Sequence, residues 1–391
     1  MSTGRLVVGL DIGTTKICTV IAEADASEGL RIVGEGTVPS HGVKRGMVVD
    51  IEQTAQAVAQ SLEAAERVAG VEITSAWVGV AGSHIRARLR QGTVPVRRRE
   101  VGPEDMQRAL DAATSVDPAM ELIHRLPLEY TVDGQDGISA PSGMSGSKLA
   151  VDLLVVSGAT GALANLRKVV SDNGLVVQGL ALQALASGNA VLTPTEREVT
   201  TILIDIGGGT TDVGVFRRGQ LAHAAVIPLG GDHVTSDIAQ ILKLPPPEAE
   251  ALKLRHGAAI PALAQGEFTV QGERLSAWEL SEIVAPRMRE IFDLARRELE
   301  KLGPVELLAH SLVLTGGGAM LRGTVELARE RFRLPTRLGA PQELAGLSDV
   351  VSSPAHATAV GLARFGSRQP LVRERPAPLL NWLKRVMHDT F

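Results

Sequence analysis

Apolar residues gather in three strand-length runs, and each run ends in a cluster of glycine and threonine or of glycine alone. Leu6-Val7-Val8-Gly9-Leu10 precedes Asp11-Ile12-Gly13-Thr14-Thr15-Lys16. Ile202 to Ile206 precedes Gly207-Gly208-Gly209-Thr210-Thr211-Asp212. Ser311 to Thr315 precedes Gly316-Gly317-Gly318-Ala319-Met320. β-Branched runs of this length predict buried strands. Further strands are predicted at Ile17–Ala22, Leu30–Val38, Ala76–Val80, Ile123–Val132, Leu149–Ser157, Asp212–Phe216 and Ala224–Pro228. Helical spacing fits Glu52–Val68, with Ile51, Ala55, Val58 and Leu62 on one face. It also fits Pro103 to about Thr114, Ala162–Asp172, Leu182–Val191 and a region from Ser276 to Leu302, which Pro286 is expected to break or begin. Strands and helices alternate, so the chain reads as α/β.

The first two runs carry chemistry. Each is a strand with an acid near its end, a Gly/Thr turn and a returning strand. Glycines let backbone N–H groups approach a bulky anion with no Cβ in the way, and threonines add hydroxyl donors. Asp11, Asp205 and Asp212 stand where a divalent cation could be held through water. A plain glycine-rich hairpin would explain the glycines but not carboxylates flanking the turn. Two such hairpins half a chain apart suggest two similarly built lobes gripping a nucleotide's phosphates from both sides. In the third run the backbone can pass close to a flat base or sugar. No Walker loop occurs, and Asp212 stands where a dinucleotide fingerprint needs its third glycine.

Composition narrows the class. The chain has 391 residues, 44% hydrophobic and 21% charged, enough for two domains with proper cores. Aromatics are 3%, so the cores must be aliphatic. A net charge of −4 argues against a general nucleic-acid binder. The single cysteine, Cys18, excludes an intramolecular disulfide and reads as buried filler. The nine histidines show no metal-ligand spacing and read as ordinary polar residues. No signal peptide is recognised, and no run reaches the ~18 apolar residues of a membrane span.

The ordered set of two phosphate hairpins and a third glycine loop resembles the actin, Hsp70 and sugar-kinase superfamily. Val80 to Ile85, Leu126-Pro127-Leu128-Glu129-Tyr130-Thr131-Val132-Asp133-Gly134-Gln135 and Pro141 to Gly146 narrow the resemblance to the bacterial division family FtsA, over almost the whole length. The resemblance implies a two-lobed actin-like fold with an α+β insert (subdomain 1C). Its expected divisions are 1–84 and 159–195 for subdomain 1A and 85–158 for the insert. Subdomain 2A takes 196–232 and, with the closing helix, 309–366; subdomain 2B takes 233–308. It implies ATP and Mg2+ as cofactors, with at most slow hydrolysis. Asp11, Gly13, Thr14, Thr15, Lys16, Asp205, Gly207, Gly208, Gly209, Thr210, Thr211 and Asp212 would face the phosphates, and Asp11 and Asp205 the metal. Glu250 and Lys253, three apart on one helix face, would border the ribose and base, unless they are an exposed ion pair. Gly316, Gly317, Gly318 and Met320 would lie along the adenosine. Gln183 falls about where the superfamily orients an attacking water; a helix-surface glutamine is the competing reading. Implied partners are the FtsZ C-terminal peptide, other division proteins and further copies of the chain, at the cytoplasmic face of the membrane and the division septum. The charged face from Glu279 to Arg297, including Arg287, is the candidate FtsZ dock, against a plain solvated face. A PilM-like pilus scaffold and a small-molecule kinase of the superfamily are the rival readings.

Two stretches outside the lobes complete the pattern. Arg86, Arg88, Arg90 and Arg97 to Arg99 make a basic patch, read as a solvated strand face. Residues 367–377 read as an exposed linker to a last segment, 378–391. There Leu379, Leu380, Trp382, Leu383, Val386, Met387 and Phe391 fall on one half of a helix, with Lys384 and Arg385 on the other. It is too short to cross a bilayer but suits its interface. A tail helix docked on its own domain is the alternative.

Overall fold

A computed structural model describes residues 4–25 and 29–369. Two sheets carry the same topology. In the first, the spatial order is Val176–Leu182, Ser75–Val80, Arg5–Ile12, Lys16–Asp25 and Gly29–Pro39, with Leu344–Gly346 at the edge. In the second it is Thr336–Leu338, Ser311–Thr315, Thr201–Ile206, Thr211–Arg217 and Gln220–Ile227. In each, the first three strands in chain order are antiparallel neighbours, the fourth pairs in parallel with the first, and the fifth in parallel with the fourth. The repeat inferred from two hairpins is thus a repeat of whole lobes.

Each lobe has an aliphatic interior. Leu10, Ile17, Val20, Ile21, Val58 and Leu182 are sealed in the first; Ile202, Ile204, Val213, Phe292 and Leu314 are sealed in the second. Two helices, Gln183–Val191 and Ala357–Ser367, pack against each other between the sheets. A Cβ on Gly361 would lie 1.9 Å from the Ala186 carbonyl oxygen, and one on Gly9 2.2 Å from that of Ala359. The closing helix is therefore seated by backbone contact, which only glycine allows.

Between the first lobe's fourth and fifth strands sits the insert. Its sheet runs Arg86–Pro95, Lys148–Ala159, Met120–Val132, Gln135–Ile138, covered by the helix Pro103–Ala113. It has its own small core around Val94, Tyr130, Leu149 and Val151. Arg86, Arg88 and Arg90 are exposed, as a solvated strand face requires.

Three sequence expectations need correction. Pro286 neither breaks nor begins a helix: Ala277–Glu300 runs through it. The buried stripe Leu280, Val284, Met288, Ile291, Ala295 and Leu299 holds the helix despite the lost backbone donor. The Gly-, Ser- and Pro-rich stretch Gly137 to Ser147 reads from sequence as loop, but Gly137 and Ile138 belong to the short strand Gln135–Ile138. The linker does not begin at Ser367, which ends the closing helix; Arg5 Nη1 still holds the Gln369 carbonyl, at 2.8 Å. The expected membrane-facing residues, 379 to 387, lie outside the described residues.

Candidate functional site

The two hairpin turns are built alike. Gly13 N–H donates to the Lys16 carbonyl at 3.0 Å, and Gly207 N–H to that of Thr210 at 2.9 Å. In register, Asp205 faces Asp212 across its hairpin, while Asp11 faces Cys18. The turns meet across a cleft of about 490 Å³ between the lobes. A Cβ on Gly208 would lie 1.7 Å from Thr15 Oγ1, and one on Gly209 2.5 Å from Thr14 Oγ1. Thr15 donates to Asp232 Oδ1 at 3.0 Å, tying one lobe to the other. On the far wall a Cβ on Gly316 (φ 84°) would lie 2.3 Å from Asp205 Oδ1. At these positions only glycine lets the turns and the third loop close on the side chains facing them.

Three carboxylates lie buried together at the head of the cleft. Asp205 Oδ2 accepts from Ser187 and, at 3.3 Å, from Thr358. Asp11 Oδ1 accepts from Gln183 Nε2 at 2.9 Å. Asp212 Oδ1 is buried with no hydrogen-bond partner. Burial pushes the Asp11 carboxyl up to about 7, with Lys16 opposing and Asp205 adding to the rise. Asp205 is raised by burial, partly offset by its two hydroxyl donors, and Asp212 is raised well above the carboxylate range by burial and by its two acidic neighbours. Such a cluster wants positive charge. An orphaned carboxylate oxygen beside bare-backbone walls fits a hydrated divalent cation riding on an anion.

The cleft gathers nearly all the sequence-predicted residues: Asp11 to Lys16, Gln183, Asp205, Gly207 to Thr210, Asp212, Glu250, Lys253, Gly316 to Gly318 and Met320. Thr211 does not line it; its hydroxyl donates to the Leu229 carbonyl at 2.8 Å. Lys16 Nζ reaches the Ala355 carbonyl. The Glu250–Lys253 pair, 2.6 Å apart, is not a loose surface pair: Lys253 is buried and also donates to the Gly231 carbonyl (3.1 Å) and Thr235 (2.9 Å). Gln183 opens its helix with the amide on Asp11, so it is no helix-surface glutamine.

Sequence reasoning missed Ser187, Asp232, Thr358 and His124. Asp232 had a signal, an acid directly after Gly230-Gly231 at a helix start. Ser187 and Thr358 are lone hydroxyls in small-residue helices, where sequence gives no direction. His124 is not an ordinary polar histidine. It reaches from the insert, packs edge-on to Phe365 at 5.6 Å, and accepts the Leu182 N–H at 3.0 Å through Nε2. Burial alone holds its ring down to about 4, so it is a neutral acceptor.

Arg287 is not a free surface cation. Its guanidinium holds Asp237 through two bonds, 2.8 and 2.9 Å, and Glu290 through a third. The two Asp237 bonds link the helix Ala277–Glu300 to Gly231–Leu242.

Two repeated lobes, bridged by two helices and closing over an acidic, glycine-walled cleft, define an actin-like protein. MreB5 of Spiroplasma citri bound to AMPPNP matches with a TM-score of 0.55 at 14% identity, over 99% of each chain. The PilM–PilN type IV pilus biogenesis complex matches with a TM-score of 0.69 at 20% identity, over 93% of this chain and 99% of the other. Family models for cell division protein FtsA match residues 202–361, and for the SHS2 domain inserted in FtsA residues 82–157. Cell division protein FtsA of Pseudomonas aeruginosa is 42% identical, over 100% of this chain and 99% of its own. Those of Escherichia coli K12 (36%, over 98% and 96%) and Bacillus subtilis (34%, over 96% and 86%) follow the same span. The chain belongs to the FtsA family of cell division proteins.

Proposed function

We propose that the chain binds ATP with Mg2+ in the interlobe cleft and tethers FtsZ filaments to the cytoplasmic face of the membrane at the septum, assembling there with further copies of itself. The observation that carries the nucleotide reading is the buried trio Asp11, Asp205 and Asp212 at two repeated turns, with one carboxylate oxygen unpartnered. When bound, Mg2+ would neutralise charge on the phosphates and the trio together. The chain's residues do the rest. Thr14, Thr15 and Thr210 offer hydroxyls to phosphate oxygens, and Lys16 offers its ammonium. Glu250 offers acceptors to the ribose, and Gly316 to Gly318 flank the base. Gln183, held at Asp11, is placed to orient a water. Hydrolysis is expected to be slow at most. An actin-like neighbour with AMPPNP supports nucleotide as the ligand class. The pilus-scaffold rival rests on fold likeness alone and is outweighed by the full-length division relatives.

The membrane half of the proposal rests on the amphipathic pattern of 378–391. Apolar burial contributes ~25 cal/mol per Å², and Lys384 and Arg385 about 1 kcal/mol each beside anionic lipid. Ordering a short helix opposes both. Deleting Pro378 to Phe391 should therefore release the protein from anionic liposomes in a flotation assay while ATP binding survives. A truncated protein that still floats would refute the anchor.

For FtsZ, the proposed dock is the exposed side of Ala277–Glu300, with Arg287 attracting acidic residues of the tail. Because Arg287 also holds two helices together, Arg287→Glu alone is ambiguous. Asp237→Asn breaks the internal pair but keeps the cation. Tail affinity, read by fluorescence anisotropy, should fall about tenfold or more in Arg287→Glu and hold or rise in Asp237→Asn. Equal losses in both variants would mean that only helix packing was disturbed.

A further inference from the structure

Beside the cleft, but not lining it, three side chains of metal-ligating type converge. Antiparallel pairing sets Cys18 opposite Thr37, so Glu35, two residues away on the same strand, shares the face of Cys18. His356 arrives from the turn Pro354–His356 ahead of the closing helix. Cys18 Sγ lies 3.9 Å from Glu35 Oε1, and His356 Nε2 lies 3.6 Å from that oxygen. All three ligand atoms fall within 4.8 Å of one another.

A tetrahedral zinc ion has bonds of about 2.0–2.3 Å, which puts its ligands about 3.3–3.8 Å apart. The trio is near that spacing. A Glu35–His356 ion pair with Cys18 as filler accounts for the shortest separation. It does not account for the thiol turned onto the same oxygen. The Thr37 hydroxyl donates to the Glu35 carboxylate, the kind of outer support that orients a ligating acid. A small exposed edge, about 15% of each of the His356 and Glu35 side chains, gives entry from solvent.

We propose that Cys18, Glu35 and His356 form a three-ligand site for a zinc-type divalent cation, with the fourth position open to water. On binding, the Cys18 S–H bond breaks, a sulfur–metal bond forms and the proton passes to solvent. No electron is transferred. A thiol ligates as the thiolate, so the metal must displace that proton and affinity should rise with pH. The site would also act on the cleft. The neighbouring Pro354 carbonyl accepts from Gly316 N–H (3.2 Å) and Thr315 Oγ1 (3.3 Å), and the Ala355 carbonyl holds Lys16. A metal on His356 would fix this turn against both nucleotide-facing loops. This inference does not depend on the proposed ligand of the cleft.

The test uses the full chain, stripped with chelator and kept in excess Mg2+, which favours oxygen ligands and should not compete. Zn2+ is titrated against a chromophoric chelator, and Co2+ is added separately for its absorption spectrum. One equivalent of Zn2+ should bind, and Co2+ should give a thiolate charge-transfer band. Cys18→Ser should abolish the band. His356→Gln and Glu35→Gln should weaken Zn2+ binding about tenfold or more, with unchanged circular dichroism melts. His356 is partly exposed, so its variant keeps the test open if Cys18→Ser fails to fold. Absence of stoichiometric Zn2+ binding by the unaltered chain, a Co2+ spectrum without the band, or undiminished binding in His356→Gln would each overturn the proposal.

Discussion

Asp11→Asn is expected to stabilise the nucleotide-free protein by on the order of 4 kcal/mol at about pH 8, while weakening Mg-ATP binding by orders of magnitude. The sign follows from burial. The carboxyl rises from 3.8 to about 7 on folding. Between those values the folded chain keeps a proton that the unfolded chain has lost, so the stability carried by the protonated acid is complete below about pH 4. It drains as pH rises through 7. Asparagine never ionises and escapes that loss, and it can still accept from Gln183. Melting temperature measured from pH 5 to 8, with and without Mg-ATP, reads both effects. The nucleotide-free curves of wild type and variant should converge at acid pH and separate at alkaline pH, and only wild type should gain strongly from Mg-ATP. Parallel curves would mean that Asp11 is not the buried charge described.

His124 should make the opposite contribution. Its ring falls from 6.5 to about 4 on folding because burial disfavours the cation. Its contribution is complete above 6.5 and is lost as pH falls toward 4, roughly 3 kcal/mol in all. Once protonated, Nε2 would present a donor to the Leu182 N–H. His124→Gln keeps an acceptor without a titration and should flatten the acid limb of stability. His124→Leu should flatten it too but leave Leu182 N–H unpaired and lower stability throughout. An acid limb unchanged in His124→Gln would assign that limb to another group.

The two residues mark where sequence was informative and where it was not. Asp11 was readable because strand, acid and Gly/Thr turn form one local pattern, repeated at Asp205. The two lobes share one strand order, in keeping with that repeat. His124 was not readable, since its acceptor role depends on Leu182, which lies 58 residues away across the insert boundary. Arg287 misled for the same reason: its partner Asp237 sits 50 residues earlier, and a charged helix face looks alike whether or not it is paired. Thr358 and Ser187 join at Asp205 only through the packing of two helices far apart in sequence. Local chemistry could be read; convergence from distant elements could not.

The closing helix ends at Ser367, where the chain leaves toward its C-terminal segment. Gly366 sits against the Trp77 ring, where a Cβ would lie 2.2 Å from Cδ1. Arg364 grips the carbonyls of Asn189, Gln342 and Glu343. A tug on the tail would enter the fold at the Arg5–Gln369 bond and along this rod, which bears on Ala186 of the other bridging helix at Gly361. The same helix carries Thr358, whose hydroxyl meets Asp205 at the head of the cleft. Load on the anchor proposed above would thus enter the fold through a helix that joins both lobes.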